Sequence, residues 1–408
     1  MVRIITYILV ILFASSSWLS TNAVWMQLPF LTQQLPEGWS LPSYLSAVVQ
    51  IACIGPLIYS IIHKCTQYSL PTAPLTLCLL IFCCICNGLV AAFWSRTLVL
   101  FGTSHSVFLI VLVFGMALVN STSNVLFMPY MSAYHVSYLT AYFVGMGMSS
   151  LFPSLISLLQ GSSDECVYVN GSYIREAIPP RFGVSDYNLI MLAWLICATT
   201  SFFLLHWTSL GNDQTMQPKP AVEQPELPVD ESSPLNRYAD LSTDEENPDK
   251  ISVYRFSFLL FLTALVNAQM NGIIPSIQSY AALPYSQATY HFALTLSHIA
   301  SPIVCFLPLL LQPTRLWSLS FLTLLSSLLT GFIVVLAKMS PNPILKFSVW
   351  GKIMFVALSV GTSALNSYLR TVFATVLQKG AQDGESRLFW CGAFIQIGSF
   401  LGSFTMFP

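Results

Sequence analysis

The chain has 408 residues, of which 55% are hydrophobic and only 8% charged, with a formal net charge of −1 and a mean hydropathy of +0.68. Soluble domains carry about 25% charged residues, so this composition cannot hydrate a whole protein surface, and lipid must face most of it. The bases are scattered singly, which excludes the clustered positive footprint of a nucleic-acid-binding protein.

Spanning helices need about 20 mostly apolar residues. Eleven such runs follow in chain order: 4–24, 43–63, 71–94, 106–128, 136–159, 187–207, 253–274, 288–311, 316–337, 348–369 and 388–406. Arg3 before the first apolar run also fits a signal peptide, but the run stays apolar longer than a signal core, which favours a span. The fold class predicted is therefore an all-α polytopic membrane protein.

The acids are not evenly spread. Ten of the seventeen lie between Gly211 and Lys250 against three bases, leaving thirteen bases and seven acids for the remainder. Rich in Pro, Glu, Asp and Ser, this stretch cannot bury enough apolar surface to order itself. It is predicted to be a disordered cytoplasmic linker, 209–252, between an N-terminal bundle of six helices, 1–208, and a C-terminal bundle of five, 253–408. By analogy this 6+5 division suggests a major-facilitator-like pair of bundles around a central site.

With the N-terminus inside, ten bases fall in or beside inner loops and six in or beside outer ones, a modest positive-inside bias. The sequon Asn170-Gly171-Ser172 then lies in the outer loop 160–186, where Asn170 can be glycosylated. The expected topology has a cytoplasmic N-terminus and an extracellular C-terminus.

Polar groups in lipid are costly and should line the interior. None of the eleven runs contains Asp or Glu; amides, hydroxyls, aromatics and two histidines remain. Trp18, Asn22 and Trp25 share a helical face, followed by Gln27. Asn120 and Asn124 share another, as do Asn267 and Asn271, with Gln269 off that face. A break at Gly272 and Pro275 precedes Gln278, Tyr285 and His291. Any one of these groups can be interhelical glue. Together they suggest a cavity with aromatic walls and amide corners, suited to a flat, neutral, hydrogen-bonding ligand. Charged solutes are disfavoured because no fixed charge replaces their hydration. No hydrolase elbow, zinc-binding HExxH pair or intramembrane carboxylate dyad is present, so no enzyme activity, catalytic residue or cofactor is expected. The cluster Cys83, Cys84 and Cys86 lacks a second ligand pair, so no metal is expected. His291 and His298 leave pH sensitivity open.

Several segments carry a family likeness: Leu35-Pro36-Glu37-Gly38-Trp39-Ser40-Leu41-Pro42-Ser43-Tyr44-Leu45, Thr122-Ser123-Asn124-Val125, Asn271-Gly272-Ile273-Ile274-Pro275-Ser276-Ile277-Gln278-Ser279 and Leu283-Pro284-Tyr285. In order along nearly the whole chain, they resemble the animal riboflavin transporter family, solute carrier family 52. The resemblance implies eleven spanning helices and sodium-independent, facilitative riboflavin uptake at the plasma membrane, with retroviral receptor use in some members. Riboflavin and the lipid bilayer are then the expected partners. The expected substrate-binding set is Trp18, Asn22, Trp25, Gln27, Asn120, Asn124, Asn271, Gln278, Tyr285 and His291. A carrier for a nucleoside or another flat heterocycle is the near alternative. Two departures from the family pattern stand out. Its Trp-x-Glu-Leu-Pro motif reads Trp25-Met26-Gln27-Leu28-Pro29, with an amide in place of a carboxylate. The cysteine-containing tail of vertebrate members is also missing after Pro408.

Overall fold

The computed structural model describes residues 4–53, 55–56, 72–100, 102–132, 134, 136–161, 163–169, 172–178, 180–208, 253–309, 311, 313, 315–378 and 384–407. The predicted linker 209–252, Asn170, and the second half of the run 43–63 lie outside the described residues.

Every predicted run contains a helix. They are α1 (Ile4–Ser15) with α2 (Leu19–Gln34), α3 (Leu41–Ala52), α4 (Thr72–Phe93), α5 (Val107–Ser132), α6 (Val136–Gln160) and α7 (Val184–Trp207). After residue 252 follow α8 (Val253–Asn267), a π-helical turn (Ala268–Ile273), α9 (Ile274–Ala282), α10 (Gln287–Val304), α11 (Leu316–Lys338), α12 (Val349–Gln378) and α13 (Gly384–Thr405). Two small antiparallel hairpins, β1 (Leu98–Leu100) with β2 (Thr103–His105) and β3 (Ser163–Val169) with β4 (Ser172–Ile178), cap the ends of α4 and α6. Six helical segments among the described residues are long and apolar enough to cross a membrane, and a seventh if α1 and α2 are one bent span.

The helices are inside-out relative to a soluble bundle. On α11, Thr323, Ser326 and Thr330 are buried, whereas Phe321, Leu324 and Leu328 are exposed. On α4 the buried stripe is Ala73, Thr76, Leu80, Cys83, Asn87 and Val90, with Phe82, Ile85 and Leu89 on the opposite side. Lipid solvates the leucines, and the protein must satisfy the hydroxyls and amides.

The first predicted run is not one straight helix ending at residue 24. It bends by 53° between α1 and α2 and continues to Gln34. Ser15, Ser16 and Ser17 occupy the bend. Ser16 Oγ donates to the Phe13 carbonyl at 2.6 Å, replacing helical backbone bonds with local ones. Trp194 Nε1 of α7 donates to Ser15 Oγ at 2.8 Å and holds the end of α1. The seventh run, whose last residues form the π turn, likewise continues past its expected end at Ile274 through α9 to Ala282.

Glycines set the closest helix approaches. A Cβ on Gly145 of α6 would collide with the Ile11 carbonyl of α1. Cβ atoms on Gly398 and Gly402 of α13 would strike the carbonyls of Ala264 and Ala268, and one on Gly272 would strike the backbone of Gly402 and Ser403. Small residues let backbones meet where no hydrophobic force drives helices together. By contrast, a Cβ on Gly331 would meet nothing within 4 Å. Gly398→Ala is expected to destabilise by about 1–3 kcal/mol through overpacking, read as a lower melting temperature in detergent. Gly331→Ala should leave that temperature unchanged or slightly raised.

Candidate functional site

Among the described residues, the hydrogen bonds between helices before residue 209 and those after residue 252 gather at one end of the molecule. Ser43 Oγ donates to the Ser276 carbonyl at 2.7 Å, Ser279 Oγ to the Trp39 carbonyl at 2.6 Å, and Gln287 Nε2 to the Pro29 carbonyl at 3.2 Å. Ser46 Oγ lies 2.8 Å from Ser403 Oγ and 3.5 Å from the Asn271 carbonyl. His291 Nε2 lies 2.9 Å from Ser157 Oγ and 3.0 Å from the Ser157 carbonyl. Trp39 meets Tyr280 edge-on at 6.1 Å, and Phe30 packs on His291 at 5.9 Å. Every member belongs to the end that carries the loop 35–41, and none is a carboxylate or a lysine or arginine. We refer to this set as the latch.

The loop 35–41 is held by the acid of the family-like segment. Glu37 Oε1 accepts from Ser106 N and Oε2 from Ser106 Oγ, both at 2.6 Å, immediately before α5. His105 Nδ1 lies 3.8 Å from Glu37 Oε1. The carboxylate thereby meets the positive end of a helix and ties the Trp39 carbonyl to the first set of helices.

The candidate residues divide by what they touch. Asn22 is half-buried on α2, and its Nδ2 donates to the Ser149 carbonyl of α6 at 3.1 Å. Trp18 sits at the bend and Trp25 two turns on, both half-buried against the apolar core. At 1.5 Å per residue, Asn22 lies about 10 Å along the helix from Pro29, deeper into the molecule than the latch. Asn271 is half-buried in the π turn, where its Nδ2 donates to Ser399 Oγ at 3.0 Å. Gln278, between Ser276 and Ser279, is only 5% exposed and makes no side-chain hydrogen bond among the described residues. No hydrogen bond among the described residues joins the Asn22 group to Asn271 or Gln278.

The remaining candidates are engaged with protein. Gln27 Nε2 donates to Gln160 Oε1 at 2.8 Å, while Gln160 Nε2 donates to the Phe182 carbonyl at 3.0 Å, so the amide at position 27 closes a buried pair. Asn120 is fully buried at the α1–α2 bend. With its amide oxygen facing the hydroxyls, Nδ2 donates to the Ser17 carbonyl at 3.0 Å, and Oδ1 accepts from Thr21 Oγ1 at 2.7 Å and Ser20 Oγ at 2.9 Å. The Tyr285 hydroxyl donates to the Ile344 carbonyl at 2.7 Å, and its ring stacks on Phe355. His291 belongs to the latch, and its Nδ1 has no partner among the described residues. Asn124 lies on α5, with its side chain outside the described residues.

Gln269 is not among the candidates, being off the Asn267–Asn271 face. It is nonetheless the hub of a buried network: Nε2 donates to Ser327 Oγ at 2.7 Å, and Oε1 accepts from Ser326 Oγ at 3.3 Å and Thr330 Oγ1 at 3.1 Å. The π turn displaces it from the face that regular helical spacing assigns. A surplus of hydroxyls on α11, Ser326, Ser327 and Thr330, is the sequence signal that points to it.

Along the described helices, acids stand only near helix starts, Asp186 on α7 and Glu385 on α13. Among the described residues no group of three or more His, Cys, Asp or Glu is placed to hold a metal. An open depression of about 650 Å³ in the loop between α11 and α12 is lined by Asn342, Lys346 and Phe347 and by none of the candidates. The interior chemistry is that of uncharged hydrogen bonding beside indole rings.

The family model for solute carrier family 52, riboflavin transporter, matches residues 2–408. Riboflavin transporter rft-1 of Caenorhabditis elegans is 48% identical, over 99% of this chain and 95% of its own length. Solute carrier family 52, riboflavin transporter, member 3 of Homo sapiens is 32% identical, over 98% and 95%. Among solved structures, an auto-inhibited POT family peptide transporter superposes with a TM-score of 0.61 at 13% identity, covering 98% of this chain and 88% of its own. The nucleoside transporter NupG superposes with a TM-score of 0.52 at 11% identity, covering 99% and 88%. At those identities only the fold is shared, a bundle of helices long enough to cross a membrane. Matched by the family model over residues 2–408 and nearly half identical to one relative, the chain belongs to solute carrier family 52, the riboflavin transporters.

Proposed function

We propose that this protein carries riboflavin across the plasma membrane by sodium-independent, facilitative uptake. In this reading eleven helices cross the bilayer as bundles of six and five, joined by the cytoplasmic linker 209–252. The N-terminus is inside, the C-terminus outside, and Asn170 is a glycosylated outer residue. The two bundles rock in alternating access around riboflavin. The observation that carries the mechanism is the confinement of the latch to one end. In this topology that end faces outward, so the described state is closed to the outside.

Trp18 and Trp25 supply stacking surfaces for the flat ring system of riboflavin, and Asn22, Asn271 and Gln278 read its edge and ribityl hydroxyls. Gln278 supports this most directly, as a buried amide with unused hydrogen-bonding capacity. Asn120, Gln27, Tyr285 and His291 shape the site from behind through the bonds described above, and the sequence adds Asn124 to the set. An uncharged cavity suits an uncharged vitamin, because no ionic hydration must be stripped and replaced.

Cells expressing the chain should take up labelled riboflavin saturably, with competition by lumiflavin; stronger competition by nucleosides than by flavins would assign another cargo. Asn22→Ala and Gln278→Ala should each lose about 1–3 kcal/mol of substrate binding, roughly a five- to hundredfold rise in KM at equal surface expression. The double variant Ser46→Cys with Ser403→Cys should form a disulfide on oxidation that stops uptake, and reductant should restore it. Continued uptake by the cross-linked protein would remove alternating access at this latch. Finally, Asn170→Gln should abolish the mobility shift produced by endoglycosidase treatment; an unchanged shift would refute the assignment of this outer loop.

A further inference from the structure

The first helix of each predicted bundle is interrupted, and the two interruptions are clamped alike. At the α1–α2 bend, Asn120 of α5 bonds Ser17, Ser20 and Thr21, and Cys83 Sγ of α4 lies 3.2 Å from Ser20 Oγ. At the π turn, Gln269 is held by Ser326, Ser327 and Thr330 of α11, and Ser326 Oγ also sits in hydrogen-bond contact with the Asn366 amide of α12. In both, the third and fourth helices of the bundle grip the break in the first. The fifth helix supports it through glycine: α6 by Gly145 against Ile11, and α13 by Gly398 and Gly402 against Ala264 and Ala268.

The two breaks are built differently: a π turn holds a surplus residue relative to an α-helix, and such turns recur at functional sites. Immediately beyond it, α9 carries the Ser276 carbonyl and the Ser279 hydroxyl, both members of the latch.

We infer that the π turn Ala268–Ile273 is the switch that sets the latch, with Gln269 as its positioning residue, anchored through Ser326 to Asn366. Relaxing the π turn to α-helix turns everything beyond it by about 100°, one residue's worth of helical rotation. That rotation sweeps Ser276 and Ser279 away from Ser43 and Trp39 and releases α9 from α3. Gln269 opposes it by holding the turn against α11. The inference rests on the alternating-access reading above.

The test uses the full-length protein in intact cells, with Ser279→Cys as a reporter for a membrane-impermeant maleimide. With the clamp intact, Cys at position 279 should label slowly. Adding Gln269→Leu should raise the labelling rate about fivefold or more, the equivalent of losing one hydrogen bond. The same change made without the reporter should lower the maximal uptake rate more than it changes KM. Ser327→Ala, which removes one partner at a half-buried position, should show a smaller change in the same direction, and it carries the test if Gln269→Leu does not reach the surface. Labelling and uptake that stay at the parent values would overturn the switch. Failure of the Ser46–Ser403 cross-link to stop uptake would instead overturn the alternating-access reading on which it rests.

Discussion

A chain surrounded by lipid has no solvent to satisfy its polar groups, and this constraint organises the whole molecule. Leucine and phenylalanine gain little by hiding from lipid, so Phe321, Leu324 and Leu328 face outward while others, such as Phe13 and Leu195, pack between helices. Serine, threonine, asparagine and glutamine must find partners, so they point inward and become the joints between helices. Asn120 at the first bend, Gln27 with Gln160, and Gln269 with the hydroxyls of α11 follow from that requirement. The positions at which the helices bend follow as well, because a hydroxyl or amide that bonds locally replaces a backbone bond that helix continuity would otherwise use.

The same constraint governs how much of the fold is legible in the residues alone. Helix positions are legible because about 20 apolar residues in a row match the thickness of a bilayer and exceed what a soluble core helix buries, and each predicted run contains a helix. Helix ends are less legible. The first run continues ten residues beyond its expected end at 24 because Gln27, Thr32 and Gln33 lower the hydropathy of a segment that packs inside the protein. The triple serine at the α1–α2 bend is a plain sequence signal for local bonding, and its meaning depends on α7, whose Trp194 holds the helix end from far along the chain. Gln269 falls outside the expected site because regular helical spacing does not hold across a π turn. Spacing also cannot separate an amide that bonds protein from one with capacity to spare, which is the difference between Gln27 and Gln278.

Family membership and residue-level chemistry carry different weight in this chain. Whole-length identity places it among the riboflavin transporters, while the bonds that join its helices run through amides, hydroxyls and carbonyls. The amide at position 27, where the family motif has a carboxylate, illustrates how they combine. Gln27 and Gln160 form a neutral buried pair in this chain, and a glutamate would bring a charge to the same position without a basic partner at Gln160. The departure in the motif is therefore accompanied by a partner suited to it.

The composition of the latch has one more consequence. Its bonds join hydroxyls, amides, carbonyls and one imidazole, so dissolved ions have little to screen along it. Breaking many weak, neutral contacts in sequence resembles undoing a row of stitches more than pulling apart a single clasp. Such a seam also offers evolution fine adjustment: adding or removing one serine changes how firmly the two sets of helices are joined, without introducing a charge that the membrane would reject.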